Sequence, residues 1–148
     1  MTADTITDHT IHTEWIDVSV QTAERINQTK LAGGRIISIG TTSVRALETA
    51  AWRATGLNDS LQNVSRETAD FCAWKPVTAW SGQTDLYIYP GYDYRVTDAL
   101  ITNFHLPKSS LLMLVSAFTG YDLMRRAYQI AIDHEYRFYS FGDAMLIL

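Results

Sequence analysis

At 148 residues the chain has the length of one domain with room for a buried core. Its 47% hydrophobic and 19% charged residues strike the balance of an ordinary globular protein. A net charge of −4 argues against attraction to nucleic acid over the whole surface, while leaving room for a local basic face. A single cysteine, Cys72, excludes an internal disulfide, no apolar run reaches the length of a membrane span, and the polar opening MTADTITDHT lacks the apolar core of a signal peptide. The expectation is a cytoplasmic protein.

In chain order, HTEWIDVSV (12–20) sets Trp15 and Ile16 beside Val18 and Val20 with acidic residues between, which predicts a strand. The period then changes. Val20, Ala23, Ile26, Asn27, Lys30 and Leu31 follow helical spacing, with Ser19 or Thr22 as the cap and Gly33-Gly34 as the stop. RIISIG (35–40) is a short β-branched strand, and TTSVRALETAAWRATG is a helix opened by hydroxyl caps and closed at Gly56. Strand, helix, strand, helix predicts an α/β domain over residues 1–148. It would be a layered, mostly parallel sheet flanked by helices, with at least one right-handed crossover.

Residues 57–83 have no clear period and read as an irregular excursion, with a short helix near Arg66 to Phe71. TDLYIYPGY predicts a strand stopped by Pro90-Gly91, and YRVTDALITNF a second strand that could pair with it across that turn. KSSLLMLVSAFTG predicts a buried helix, and YDLMRRAYQIAIDHEY an amphipathic one with Leu123, Ala127, Ile130 and Ala131 facing in. RFYSFGDAMLIL closes the chain as an apolar strand interrupted at Gly142-Asp143. Repeats and low-complexity tracts are absent.

Three junctions, each a strand running into a polar or glycine-containing turn, carry the chemistry. In SIGTTSVRALE, Gly40 lets backbone approach a ligand, and Thr41, Thr42 and Ser43 offer hydroxyls and free helix N–H groups to an anion. Arg45 could add a bidentate donor. A glycine turn followed by ordinary caps explains the same residues, and neither a Walker loop nor a Rossmann fingerprint is present.

In TDALITNFHLP, Asp98, Asn103 and His105 bring a carboxylate, an amide and an imidazole within eight residues. Pro107 suits the first turn of the next helix, which Ser109 or Ser110 can cap. Alternation sets Asn103 with Ala99 and Ile101 on one face and Asp98 with Leu100 and Thr102 on the other, so Asp98 and Asn103 need not meet. Core packing would account for the stretch. So would a ligand or proton-transfer site, because α/β enzymes place these at the carboxyl ends of strands. In RFYSFGDAM, Tyr139 and Phe141 alternate along a strand and Asp143 follows a glycine, either as a turn residue or as a ligand-facing carboxylate.

Sharper motifs are missing. His12-Thr13-Glu14 has the H-x-E form of zinc deaminases without the P-C-x-x-C that should follow, the four histidines have no metal spacing, and no G-x-S-x-G elbow occurs. Neither a metal nor a cofactor is expected.

Taken together, GTTSVRALE, SGQTDLYIYPGY, DALITNFHLPKSSLLMLVSAFTGY and YRFYSFGDAM, in this order, closely resemble the carboxyl-terminal part of the S-adenosylmethionine:tRNA ribosyltransferase-isomerase family of bacterial queuosine biosynthesis. HTEWIDV and LAGGRIISIGTTSVR fit it as well, and only residues 57–80 have no firm counterpart. The resemblance implies a fragment of the family's catalytic α/β domain, without the amino-terminal half and inserted β-barrel of the family.

It also implies a reaction. The ribosyl part of S-adenosylmethionine is transferred and isomerised onto 7-aminomethyl-7-deazaguanine at the tRNA wobble position, giving epoxyqueuosine with release of adenine and methionine. S-adenosylmethionine is then a substrate and tRNA the partner. The sulfonium acidifies the neighbouring ribose carbon, so a base can start the reaction. On residue chemistry His105 is the first candidate base, with Asp98 or Asp143 as orienting carboxylates. Thr41, Thr42, Ser43, Arg45, Asn103 and Tyr139 are the candidate substrate contacts, Thr41, Thr42 and Arg45 for a methionine carboxylate or a tRNA phosphate. The chain alone is expected to be inactive and to self-associate. A non-catalytic nucleotide- or RNA-binding module is the other reading.

Overall fold

The computed structural model describes residues 11–62, 64 and 70–148. The elements run β1 (Glu14–Val18), α1 (Val20–Leu31), β2 (Ile37–Ile39), α2 (Thr41–Ala54), β3 (Trp80–Thr84), β4 (Ala99–Asn103), α3 (Ser110–Thr119), α4 (Tyr121–Asp133) and β5 (Ala144–Ile147). The helix expected near Arg66 to Phe71 falls mostly outside the described residues, and Asp70 and Phe71 are not helical. Among the described residues no helix is long and apolar enough to cross a membrane.

The α/β class holds, but the sheet is not mostly parallel. β1 pairs with β3 as a separate antiparallel ribbon, and the second sheet has the order β2-β4-β5. Its β2·β4 pair is parallel, the crossover the element order predicts, whereas β4·β5 is antiparallel.

Local chemistry sets the element ends. The Ser19 hydroxyl accepts from the Thr22 N–H at 3.1 Å and starts α1. Asn27, on the same helix, exchanges two 2.9 Å bonds with the backbone of Val77 and ties α1 to the irregular excursion. At the start of α2 the cap position belongs to Gly40 (φ 86°), and no side-chain cap bond forms, contrary to the hydroxyl caps expected there. Ser109 caps α3 through the Leu112 N–H at 3.2 Å, while Pro107 sits in the turn before it.

The strand expected over residues 84–92 is displaced. β3 lies earlier, at Trp80–Thr84 and mostly within the stretch expected to be irregular, and only Thr84 of the expected segment pairs. The Pro90-Gly91 turn forms, with the Tyr92 N–H donating to the Tyr89 carbonyl at 3.0 Å. The next free N–H groups then go to a side chain instead of a strand partner. Glu48, fully buried on α2, accepts from the Arg95 N–H at 2.8 Å, from the Val96 and Thr97 N–H groups at 3.0 Å each, and from the Tyr92 hydroxyl at 3.1 Å. The Tyr92 oxygen in turn accepts from the Trp52 indole at 2.9 Å. Burial pushes the Glu48 pKa up, and the three amides and the phenol pull against it.

α4 is turned relative to its expected facing. Met124, Tyr128 and Ala131 are buried, whereas Leu123 and Ile130 are exposed. The reason is aromatic. Tyr128 packs edge-on to Phe104 (centroids 5.4 Å apart), which also meets Phe138 at 5.3 Å, and this cluster fixes which stripe of α4 faces in. α3 buries only Leu114, Val115 and Ser116. β5 is shorter than expected, because Gly142 breaks the segment; a Cβ there would collide with the Arg137 carbonyl. Tyr139 and Phe141 therefore lie in a turn, not along a strand, with Tyr139 at φ 77°.

Glu48→Gln replaces one acceptor oxygen with an NH2 group among N–H donors. It should cost about 3 kcal/mol, which is roughly a 10 °C fall in melting temperature. The exposed Glu24→Gln is the control, expected to stay within about 0.5 kcal/mol. Thermal melts giving the two variants equal stability would mean that Glu48 does not hold the segment before β4.

Candidate functional site

β2 and β4 run parallel, so their carboxyl ends open on the same edge of the sheet. The Gly40 N–H donates to the Ile101 carbonyl at 2.8 Å and holds the two ends together. Here lies an open cavity of about 580 Å³, within the range of small-molecule sites. Thr41 and Thr42 line it from the first turn of α2, Thr102 and Asn103 from β4, His105 to Pro107 from the loop beyond, and Tyr139 and Ser140 from the turn before β5. That helix start carries no side-chain cap, so its first-turn amides have no side-chain acceptor.

Backbone bonds assemble the far wall. The Tyr139 N–H donates to the Phe104 carbonyl at 3.0 Å, drawing the turn against the end of β4. Asn103 Nδ2 donates to the carbonyls of Gly142 and Asp143 at 3.4 and 3.3 Å. His105 is held twice. Its N–H donates to the Tyr128 hydroxyl at 3.0 Å, and its Nε2 lies 2.9 Å from the Thr102 hydroxyl. Burial lowers the imidazole pKa from its ordinary value, which favours the neutral ring, with one donor and one acceptor. Among the described residues no Asp, Glu, Lys or Arg side chain lines the cavity.

Thr41, Thr42, Asn103, His105 and Tyr139 thus meet at one cavity, and the remaining candidates do not. Ser43 is exposed and outside the lining. Asp98 precedes β4, at the opposite end from His105. Its carboxylate binds the Lys30 ammonium and the Ile36 N–H, each at 2.8 Å, so it cannot orient the imidazole. Asp143 accepts from the Arg137 N–H at 2.7 Å and its guanidinium at 3.2 Å, and that pairing holds its carboxyl below the ordinary value. It is a turn residue.

Arg45 is no anion receptor. It is 3% exposed, and its guanidinium donates to the carbonyls of Leu86 (3.0 Å), Thr84 (3.3 Å) and His12 (3.3 Å). Glu14 stands 2.9 Å away as an ion pair without hydrogen-bond alignment. Desolvation pulls the Arg45 pKa down, and Glu14 and Asp85 oppose it. Arg45 joins α2 to the β1·β3 ribbon.

Sequence reasoning missed Thr102, Tyr128 and Glu48. Glu48 alone left a signal: Val44, Glu48 and Trp52 stand four apart on one buried helical stripe, and an acid on an apolar stripe needs partners. Among the described residues no group of three His, Cys, Asp or Glu side chains stands where it could hold a metal ion.

Fold and cavity together define an α/β domain with a ligand-sized pocket at the carboxyl ends of a parallel strand pair. The sequence matches the family described as queuosine biosynthesis protein over residues 1–147, and the chain belongs to that family. Two curated relatives, both named S-adenosylmethionine:tRNA ribosyltransferase-isomerase, are similar over 97% of the chain. They are the protein of Thermosynechococcus vestitus at 54% identity and that of Desulforamulus reducens at 49%. The chain spans about a third of their length, 34% and 36% respectively. A crystal structure of S-adenosylmethionine tRNA ribosyltransferase from Thermotoga maritima matches with a TM-score of 0.72 and 42% identity. The match covers 90% of this chain and 40% of that one.

Arg45→Ala should behave as a fold variant. Leaving Glu14 and two buried carbonyls without their donor should cost roughly 3 kcal/mol, read as a lower urea midpoint. S-adenosylmethionine affinity at a temperature where the variant stays folded should not change. A tenfold weaker affinity at unchanged stability would return Arg45 to the anion site.

Proposed function

We propose that this chain contributes the carboxyl-terminal part of the catalytic α/β domain of a cytoplasmic S-adenosylmethionine:tRNA ribosyltransferase-isomerase. In this reading the cavity takes S-adenosylmethionine as ribosyl donor, and the acceptor is 7-aminomethyl-7-deazaguanine at the wobble position of tRNA. The products are epoxyqueuosine, adenine and methionine, and no cofactor or metal takes part. The observation that carries it is the meeting of Thr41, Thr42, Asn103, His105 and Tyr139, from three separate junctions, at one cavity. The relatives' names support S-adenosylmethionine, tRNA and a ribosyl transfer with isomerisation; the acceptor base and the products belong to the proposal.

His105 is the group to remove the proton made acidic by the sulfonium, since a neutral imidazole has a free lone pair where a carboxylate is lacking. Thr41 and Thr42 offer hydroxyls and first-turn amides to the methionine carboxylate. The ring of Tyr139, 61% exposed, offers its face to the sulfonium cation, and Asn103 holds the turn that presents it.

Self-association also belongs to the reading. Ile39, Ile101 and Leu146 are register partners across the sheet, with Ile39 70% and Leu146 58% exposed, so one sheet face is apolar and uncovered. β2 and β5 are its edges.

The test is adenine release from S-adenosylmethionine with a tRNA bearing 7-aminomethyl-7-deazaguanine. In a full-length relative, replacing the histidine of the NFHLP motif by alanine should lower kcat by about 100-fold or more with little change in melting temperature. A proportional loss of activity and stability would mean packing instead. The 148 residues alone should release adenine far more slowly than the full-length relative, since a partly built site loses its alignment.

A further inference from the structure

The hydroxyl of Thr102 touches one described partner, Nε2 of His105, at 2.9 Å. Thr102 is 5% exposed, on the covered face of β4, and it also lines the cavity. The His105 backbone is pinned independently by Tyr128, so the Thr102 contact is left to fix the rotation of the ring and the nitrogen that carries its hydrogen. Two arrangements are open. If Thr102 donates to Nε2, the ring hydrogen sits on Nδ1, in a direction set by the ring, with no described protein acceptor. If Nε2–H donates to Thr102, the hydrogen left over belongs to a hydroxyl, which is free to rotate. The second arrangement leaves a lone pair on Nδ1, the form that a base on this ring requires.

We propose that Thr102 is a positioning residue: its oxygen accepts from Nε2–H of His105 and leaves the Nδ1 lone pair as the proton acceptor of the cavity. This rests on the reading of His105 as the base, but its test needs no turnover. Among the described residues the other titratable groups around the imidazole are the phenols of Tyr128, from α4, and Tyr139, from the turn before β5, and no charged side chain lines the cavity. A sign follows. An acceptor on Nε2–H binds the imidazolium more strongly than the neutral ring, so it raises the His105 pKa, opposing the lowering by burial. Removing it must lower the pKa further. A donor to Nε2 would stabilise the neutral ring alone, and its removal would raise the pKa.

The experiment is an NMR titration of His105 in the purified chain, comparing wild type, Thr102→Val and Thr102→Ser, with ring nitrogen shifts recorded for the wild type at high pH. Protonated Nε2 in the wild type, a midpoint lower by about half to one pH unit in Thr102→Val, and a wild-type midpoint in Thr102→Ser are expected. A raised or unchanged midpoint in the valine variant, or a hydrogen on Nδ1 in the wild type, would overturn the assignment. The ring nitrogen shifts need only the wild-type protein, so a valine variant that did not fold would leave the test standing. Lack of adenine release by a full-length relative's histidine variant bears on the base role alone, which keeps the two failures apart.

Discussion

The buried carboxylate of Glu48 is the constraint on which the rest of the structure depends. Three consecutive backbone amides and a phenol converge on it, and those amides belong to the segment that leads into β4. A fully buried acid is costly unless its lone pairs are filled, and here four donors fill them. α2 therefore does more than pack: it clamps the approach to β4 while its own first turn opens at the end of β2. Glu48 thus ties together the helix and the strand whose ends share the cavity, and the Gly40–Ile101 bond closes those ends.

Charge is divided along the same axis. Lys30 and Asp98 tie down the amino-terminal end of β4, and Arg45 links α2 to the ribbon, whereas the cavity at the carboxyl end is lined by hydroxyls, an amide, an imidazole and apolar side chains. Among the described residues no charged side chain lines that cavity, and burial lowers the His105 pKa from its ordinary value. Under the proposed function, a cationic sulfonium would meet no fixed positive charge there.

The helices and β1, β2 and β4 were legible because their periods and stops are local properties of the chain. The hairpin expected across Pro90-Gly91 was not, since the amides after the turn bond to Glu48, more than forty residues earlier. The same limit applies to the site. Thr41, Thr42, Asn103, His105 and Tyr139 follow strands or turns where polar side chains have few local partners, and they do meet. Asp98, Asp143 and Arg45 looked equally functional by residue type, yet each had its partners already. For Arg45 these were carbonyls 39 and 41 residues away. Spacing ranks chemical capability; it does not tell which groups are already spent on the fold.

The most direct test of the cavity as the S-adenosylmethionine site is an amide-shift map of the labelled chain titrated with that ligand to millimolar concentration. Shifts confined to Thr41, Thr42, Thr102 to Leu106, Tyr139 and Ser140 are the predicted result. Shifts gathered at Asp98 and Lys30, at the other end of the sheet, or no shifts at saturating ligand, would contradict it.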